Sequence, residues 1–128
     1  MWAERWRRED GAATAEFALV AGVTTLVFAA VLQVALVQHV RNTLVDCAGE
    51  GARHAALVGN DLGDGVGRTQ MLVRSALSGE YAEQVTARTV ERGGATLVEV
   101  TVRAPLPLLG LLGPSSSLTV RGHAWEEG

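Results

Sequence analysis

Phe17 to Val37 reads FALVAGVTTLVFAAVLQVALV, and this stretch decides the architecture. Its 21 residues hold Thr24, Thr25 and Gln33 as their only polar interruptions, and no Asp, Glu, Lys or Arg stands between Glu16 and Arg41. At about 1.5 Å per residue a helix of this length reaches roughly 30 Å, the thickness of a hydrocarbon core. A chain of 128 residues is too small to wrap a helix that is apolar on every side. A membrane-spanning helix is therefore expected.

The flanks set its orientation. Arg5, Arg7 and Arg8 precede the apolar run, and Arg41 is the one early basic residue after it. Positive residues stay inside, so the N-terminus is expected in the cytoplasm and the rest of the chain outside. A cleaved secretory signal has an apolar region of only about 7 to 15 residues followed by a polar mature start. Here the run is longer, and the residues after it have the pattern of more helix.

Beyond Val37 the apolar positions continue as Val37, Val40, Leu44, Cys47/Ala48, Gly51/Ala52, Ala55 and Val58. Steps of three and four mark one face of a helix. Asn42, Asp46, Glu50 and Arg53 fall on the other side, with Glu50 spaced to pair with Arg53 or His54. The spacing predicts one helix from about Ala13 to Val58. Its small residues, Cys47, Gly51 and Ala55 with Ala48, Ala52 and Ala56 beside them, allow close backbone approach. The chain's own sheet is the expected neighbour, and a second subunit is the alternative.

Gly59 to Gly67, GNDLGDGVG, reads as the stop of that helix and a flexible loop, with its glycines supplying the left-handed stop. A second helix is predicted from Arg68 to Leu77, with Met71, Leu72, Ser75 and Ala76 on one side. Gln84 to Arg92 and Ala95 to Arg103 then flank Gly93-Gly94, a two-residue hairpin turn. Folding about that turn sets Arg88 opposite Glu99, Thr86 opposite Thr101 and Val90 opposite Leu97. On the other face Val85, Ala87 and Thr89 meet Val102, Val100 and Val98, which leaves one apolar and one mostly polar face. Ala104 to Pro114 is a proline-punctuated leucine loop, and Leu118 to Trp125 alternates as a third strand. The expected fold class is α+β: a long N-terminal helix, a short helix and a small three-stranded antiparallel sheet.

Net charge is −3, so no basic patch of the kind that binds phosphates and no nucleic-acid partner is expected. Cys47 is the single cysteine, which excludes an intrachain disulfide and a cysteine-based zinc site and suits a small buried residue. His39, His54 and His123 are scattered, with no nucleophile or carboxylate grouped by spacing. No catalytic residue, metal, cofactor or small-molecule substrate is expected. Asn60, Asp61 and Asp64 do not match a calcium-loop spacing and read as a solvated turn.

The most specific pattern lies just before the apolar run. A charged leader ends in Gly11, small residues follow at Ala12, Ala13, Thr14 and Ala15, and Glu16 stands before Phe17 at the lip of the helix. This resembles the type IV prepilin processing signature, and the whole chain resembles the TadE-like pseudopilins of tight-adherence, Flp-type pilus systems. The resemblance implies a bacterial inner-membrane protein, cut between Gly11 and Ala12 by a prepilin peptidase. It implies assembly with other pilins or pseudopilins, with Glu16 pairing with the new amine of Ala12 on a neighbour and Phe17 beside it. The implied organisation is a cytoplasmic leader over 1–11, a membrane half-helix over 12–38 and an exported pilin-like domain over 39–128. An unprocessed single-pass anchored binding protein is the competing reading.

Overall fold

The computed structural model describes residues 2–57, 59–106 and 117–126, with the backbone alone over 2–7. The element order is α1 (Trp2–Ala56), α2 (Leu62–Ala76), a single 3-10 turn (Gly79–Ala82), β1 (Gln84–Arg92), β2 (Ala95–Pro105) and β3 (Ser117–Trp125). The fold is α+β. The chain divides into two compact units, Met1–Ala35 and Leu36–Gly128. The first contains only the N-terminal part of α1. The second contains the rest of α1 and every other element.

α1 begins ahead of the expected Ala13 because the leader is rich in Ala, Glu and Arg, which are good helix formers. One Gly11 in its interior costs only about 1 kcal/mol, too little to break it. At the other end the helix stops at Ala56, Gly59 takes φ +88°, and the Asn60 side chain donates to the carbonyl of His54 at 2.7 Å. That is the expected glycine stop, with an amide added as a cap. Val58 lies outside the described residues.

Residues 62–67 of the loop expected over 59–67 are instead the first part of α2, which corrects both the loop and the Arg68 start. Asp61 and Asp64 make the difference. The Asp64 backbone amide donates to the Asp61 carboxylate at 2.9 Å, and the Asp61 amide donates to the Asp64 carboxylate at 2.8 Å. This reciprocal capping box offsets the glycines beyond it. Gly65, Thr69 and Val73 face inward, whereas Met71, Ser75 and Ala76 are exposed.

The sheet has order β1-β2-β3, antiparallel throughout. Every cross-strand pair expected for the hairpin is present, Arg88–Glu99 and Val85–Val102 among them. Gly93 and Gly94 take φ +60° and +81°, the backbone that a tight two-residue hairpin requires. β2 extends two residues beyond the expected Arg103: Ala104 pairs with Leu118 and Pro105 with Ser117. These two residues belong to the sheet and not to the leucine loop. Pro105 is tolerated because it closes the strand, where the ladder needs no further donor. Residues 107–114 of that loop lie outside the described residues.

The core of the second unit forms where the apolar sheet face meets α1 and α2. Leu44, Val73, Val98, Val100 and Val102 are almost fully buried, and Cys47 is buried with them as a free thiol. Burial, and secondarily the Asp46 charge, push that thiol's pKa up, so it is held as an unreactive SH group. The small-residue stripe of α1 is covered by the unit's own elements. A Cβ at Gly122 on β3 would stand 2.5 Å from the Ala48 carbonyl carbon, and one at Gly65 on α2 would stand 2.6 Å from the Ala55 Cβ. Both strand and second helix therefore lie directly on the α1 backbone.

This contact is testable with a matched pair of substitutions. Gly122→Ala forces β3 off α1 and is expected to cost about 1–3 kcal/mol. Gly67→Ala, on α2 with nothing within 4 Å of the added Cβ, is expected to stabilise by up to about 1 kcal/mol. Thermal melts of the full chain in detergent, followed by circular dichroism, should move in opposite directions for the two variants.

Candidate functional site

Gly11, Ala12, Glu16 and Phe17 all lie on α1, and all four are exposed. Gly11 has no positive φ, and a Cβ built on it meets nothing within 4 Å. Neither backbone conformation nor packing in the folded chain asks for glycine there. Gly22 is equally open, but it lies inside the apolar run, where glycine is common in membrane helices. Glu16 makes no hydrogen bond or ion pair with the described residues, while Phe17 beside it is 75% exposed.

The helix from Arg8 is long and apolar enough to cross a membrane, with a mean hydropathy of 2.3 in its best 18-residue window, none of it buried. Leu19, Leu26, Phe28 and Val34 are among its large exposed side chains. The hydroxyl of Thr25 does not present an open donor, because it bonds the Ala21 carbonyl at 2.7 Å within the helix. The arrangement is an apolar anchor with a carboxylate at its lip that has no partner among the described residues.

The TadE-like protein family matches residues 11–53. Over these residues the chain is similar to TadE-like proteins. The TadE-like segment begins on Gly11, takes in Glu16 and the whole apolar run, and ends at Arg53 in the small-residue part of α1. TadE-like proteins belong to tight-adherence, Flp-type pilus systems and form a structural rather than an enzymatic family. No curated protein and no solved structure matches the chain.

Outside the TadE-like segment the sheet assembles a charge cluster that the spacing of residues did not suggest. Glu99 is 3% exposed although it lies on the polar face. Arg88 donates through Nε to its Oε1 at 2.8 Å, His123 bonds its Oε2 through Nε2 at 2.7 Å, and Arg121 adds an ion pair at 3.8 Å. Pairing of Arg88 with Glu99 is legible from the hairpin register. His123 and Arg121 arrive only when β3 pairs with β2, and extending the alternation of β3 across from Val98 to Val102 is the signal that finds them.

The hydrogen bond from Arg88, then that from His123, hold the Glu99 carboxyl below its ordinary 4.5. A carboxyl whose folded pKa is depressed contributes stability above its unfolded value and loses it as pH falls through the folded one. Glu99→Gln is therefore expected to melt below the parent chain near neutral pH, with the gap closing as pH drops below 4.5. Paired melting curves across that range, in the same detergent, read the effect. A gap that stays constant with pH would show that Glu99 does not carry it.

Proposed function

We propose that this chain is a pseudopilin or minor-pilin-like component of a tight-adherence pilus system, anchored by its apolar helix and acting through subunit assembly. The observation that carries the proposal is the six-residue segment Gly11-Ala-Ala-Thr-Ala-Glu16 at the lip of the apolar run, inside the TadE-like match. Gly11 is a residue the fold itself does not need, which fits a role in being cut. A protease cleft requires close backbone approach, which glycine and the small residues after it permit.

In this proposal a prepilin peptidase cleaves between Gly11 and Ala12 on the cytoplasmic side of the inner membrane. Glu16 then sits four residues beyond the new amine. A carboxylate at the edge of a bilayer core is costly until it is paired. The amine of Ala12 on a neighbouring subunit supplies the partner, and the pair sets the register in which two apolar helices pack, with Phe17 in the contact. The domain over 39–128 stays outside the membrane and is carried by the helix. An unprocessed anchored binding protein is the competing function; it accounts for the anchor but gives Gly11 and Glu16 no task.

Co-expression with a prepilin peptidase, followed by mass spectrometry of the mature chain, tests the proposal. The expected product begins at Ala12, and Gly11→Ile is expected to leave the leader attached. Glu16→Gln is expected to be processed and inserted normally but to lose site-specific crosslinks to pilin neighbours. A mature chain that begins at any other residue, or crosslinks that survive Glu16→Gln, would remove the basis for this function.

A further inference from the structure

Arg88, Arg92, Arg103 and Arg121 are scattered through the second half of the sequence, yet the strand register brings all four to one face of the sheet. Glu99 is the only carboxylate among the residues that alternate onto that face. In a chain whose net charge is −3, this is a strong local reversal of sign. Strand pairing thus gathers basic residues that no run of sequence contains. The four arginines span roughly 27 Å along the strands.

Three of the four arginines are held by their inner ends. Arg88 uses Nε on Glu99, and Arg103 uses Nε on the Ser117 hydroxyl at 3.4 Å. Arg121 is drawn to the same Glu99 oxygen as Arg88. None of the four has a partner for its Nη groups among the described residues. Arg88 and Arg121 remain 69% and 57% exposed while the carboxylate between them is covered. Glu99 thus acts as an internal counter-charge that orders two guanidinium groups without consuming their outward forks. Three threonines and a serine supply hydroxyls across the same face, and a row of Val90, Leu97 and the 64% exposed Trp125 crosses it between Arg88 and Arg92.

We propose that this outward sheet face binds a linear anionic polysaccharide. Guanidinium forks match carboxylate or phosphate groups spaced along such a chain. Hydroxyls suit its sugar oxygens, and Trp125 offers a flat apolar surface for the C–H face of a ring. A single nucleic-acid strand calls for several stacking aromatics, and this face has one. A duplex is read by an element that enters a groove, which a three-stranded sheet face does not. An acidic protein partner would call for an apolar centre with a polar rim, whereas here Arg88, Glu99 and Arg121 hold the centre and the apolar row lies toward one end, with Arg92 beyond it. The proposal rests on the reading that puts this domain outside the membrane, where surface glycans are the accessible polyanions.

The test uses the full chain in detergent, titrated with polygalacturonate and, in parallel, with dextran, polyglutamate and a thymidine oligonucleotide. Polygalacturonate is expected to bind, dextran not at all, and the other two more weakly than polygalacturonate. The triple variant Arg92→Gln, Arg103→Gln, Arg121→Gln is expected to bind about tenfold more weakly and with a shallower salt dependence. Trp125→Ala is expected to weaken binding at unchanged salt dependence. The triple Arg53→Gln, Arg68→Gln, Arg74→Gln removes the same charge from the helices and is expected to keep the parent affinity. Melting curves establish that each variant is folded. Equal losses in both triples, no binding by the parent chain, or tighter binding of polyglutamate or the oligonucleotide would overturn the proposal. Processing is read separately at Ala12, so either reading can fail without the other.

Discussion

The second unit depends on one close approach: β3 and α2 both rest on the backbone and smallest side chains of α1. Gly122 meets the main chain of Ala48 and Gly49, and Gly65 meets Gly51 and Ala55. A domain this small cannot bury many large side chains, and this one has few aromatics to bury. It gains density instead by bringing backbones together, so that valines of β2 and the single Leu44 of α1 fill the remaining space. The thiol of Cys47 belongs to the same economy of volume. It is a small apolar filler, sealed by burial.

The opposite face of the sheet is a consequence of this arrangement. With one face committed to α1, residues of alternate parity on all three strands must face outward. Antiparallel pairing then brings arginines from three strands to one surface, with Glu99 under them. A buried carboxylate without partners would be costly, and this one is fully satisfied by Arg88, His123 and Arg121. The cluster therefore ties β1, β2 and β3 together on the side that has no hydrophobic core. The same ion pairs order the surface that the sheet offers to a partner.

The N-terminal region works by different physics. Its apolar run has no internal partners to bury, and its large side chains are exposed along its length. Such a segment is stable only in a nonpolar solvent or against other helices. Glu16 stands where that environment begins, without a partner in its own chain among the described residues. The TadE-like match covers this segment and not the sheet.

By itself the sequence determined whatever depends on local pattern. Uninterrupted hydrophobicity from Phe17 to Val37 marks the anchor, and Gly93-Gly94 between alternating segments sets the hairpin and its full register, because a two-residue turn leaves no freedom to slip. Gly11, Ala12, Glu16 and Phe17 were legible as a motif for the same reason. Tertiary structure decided the rest. The glycines of 59–67 read as loop because their local preference is weak, yet α2 starts there: Asp61 and Asp64 cap it, and Gly65 is needed where two helices touch. The arginine face and the Glu99–His123 bond come from pairing β2 with β3, across a connection whose length does not specify register. Local chemistry identifies a helix or a turn, but only the closing of distant strands decides which charges meet.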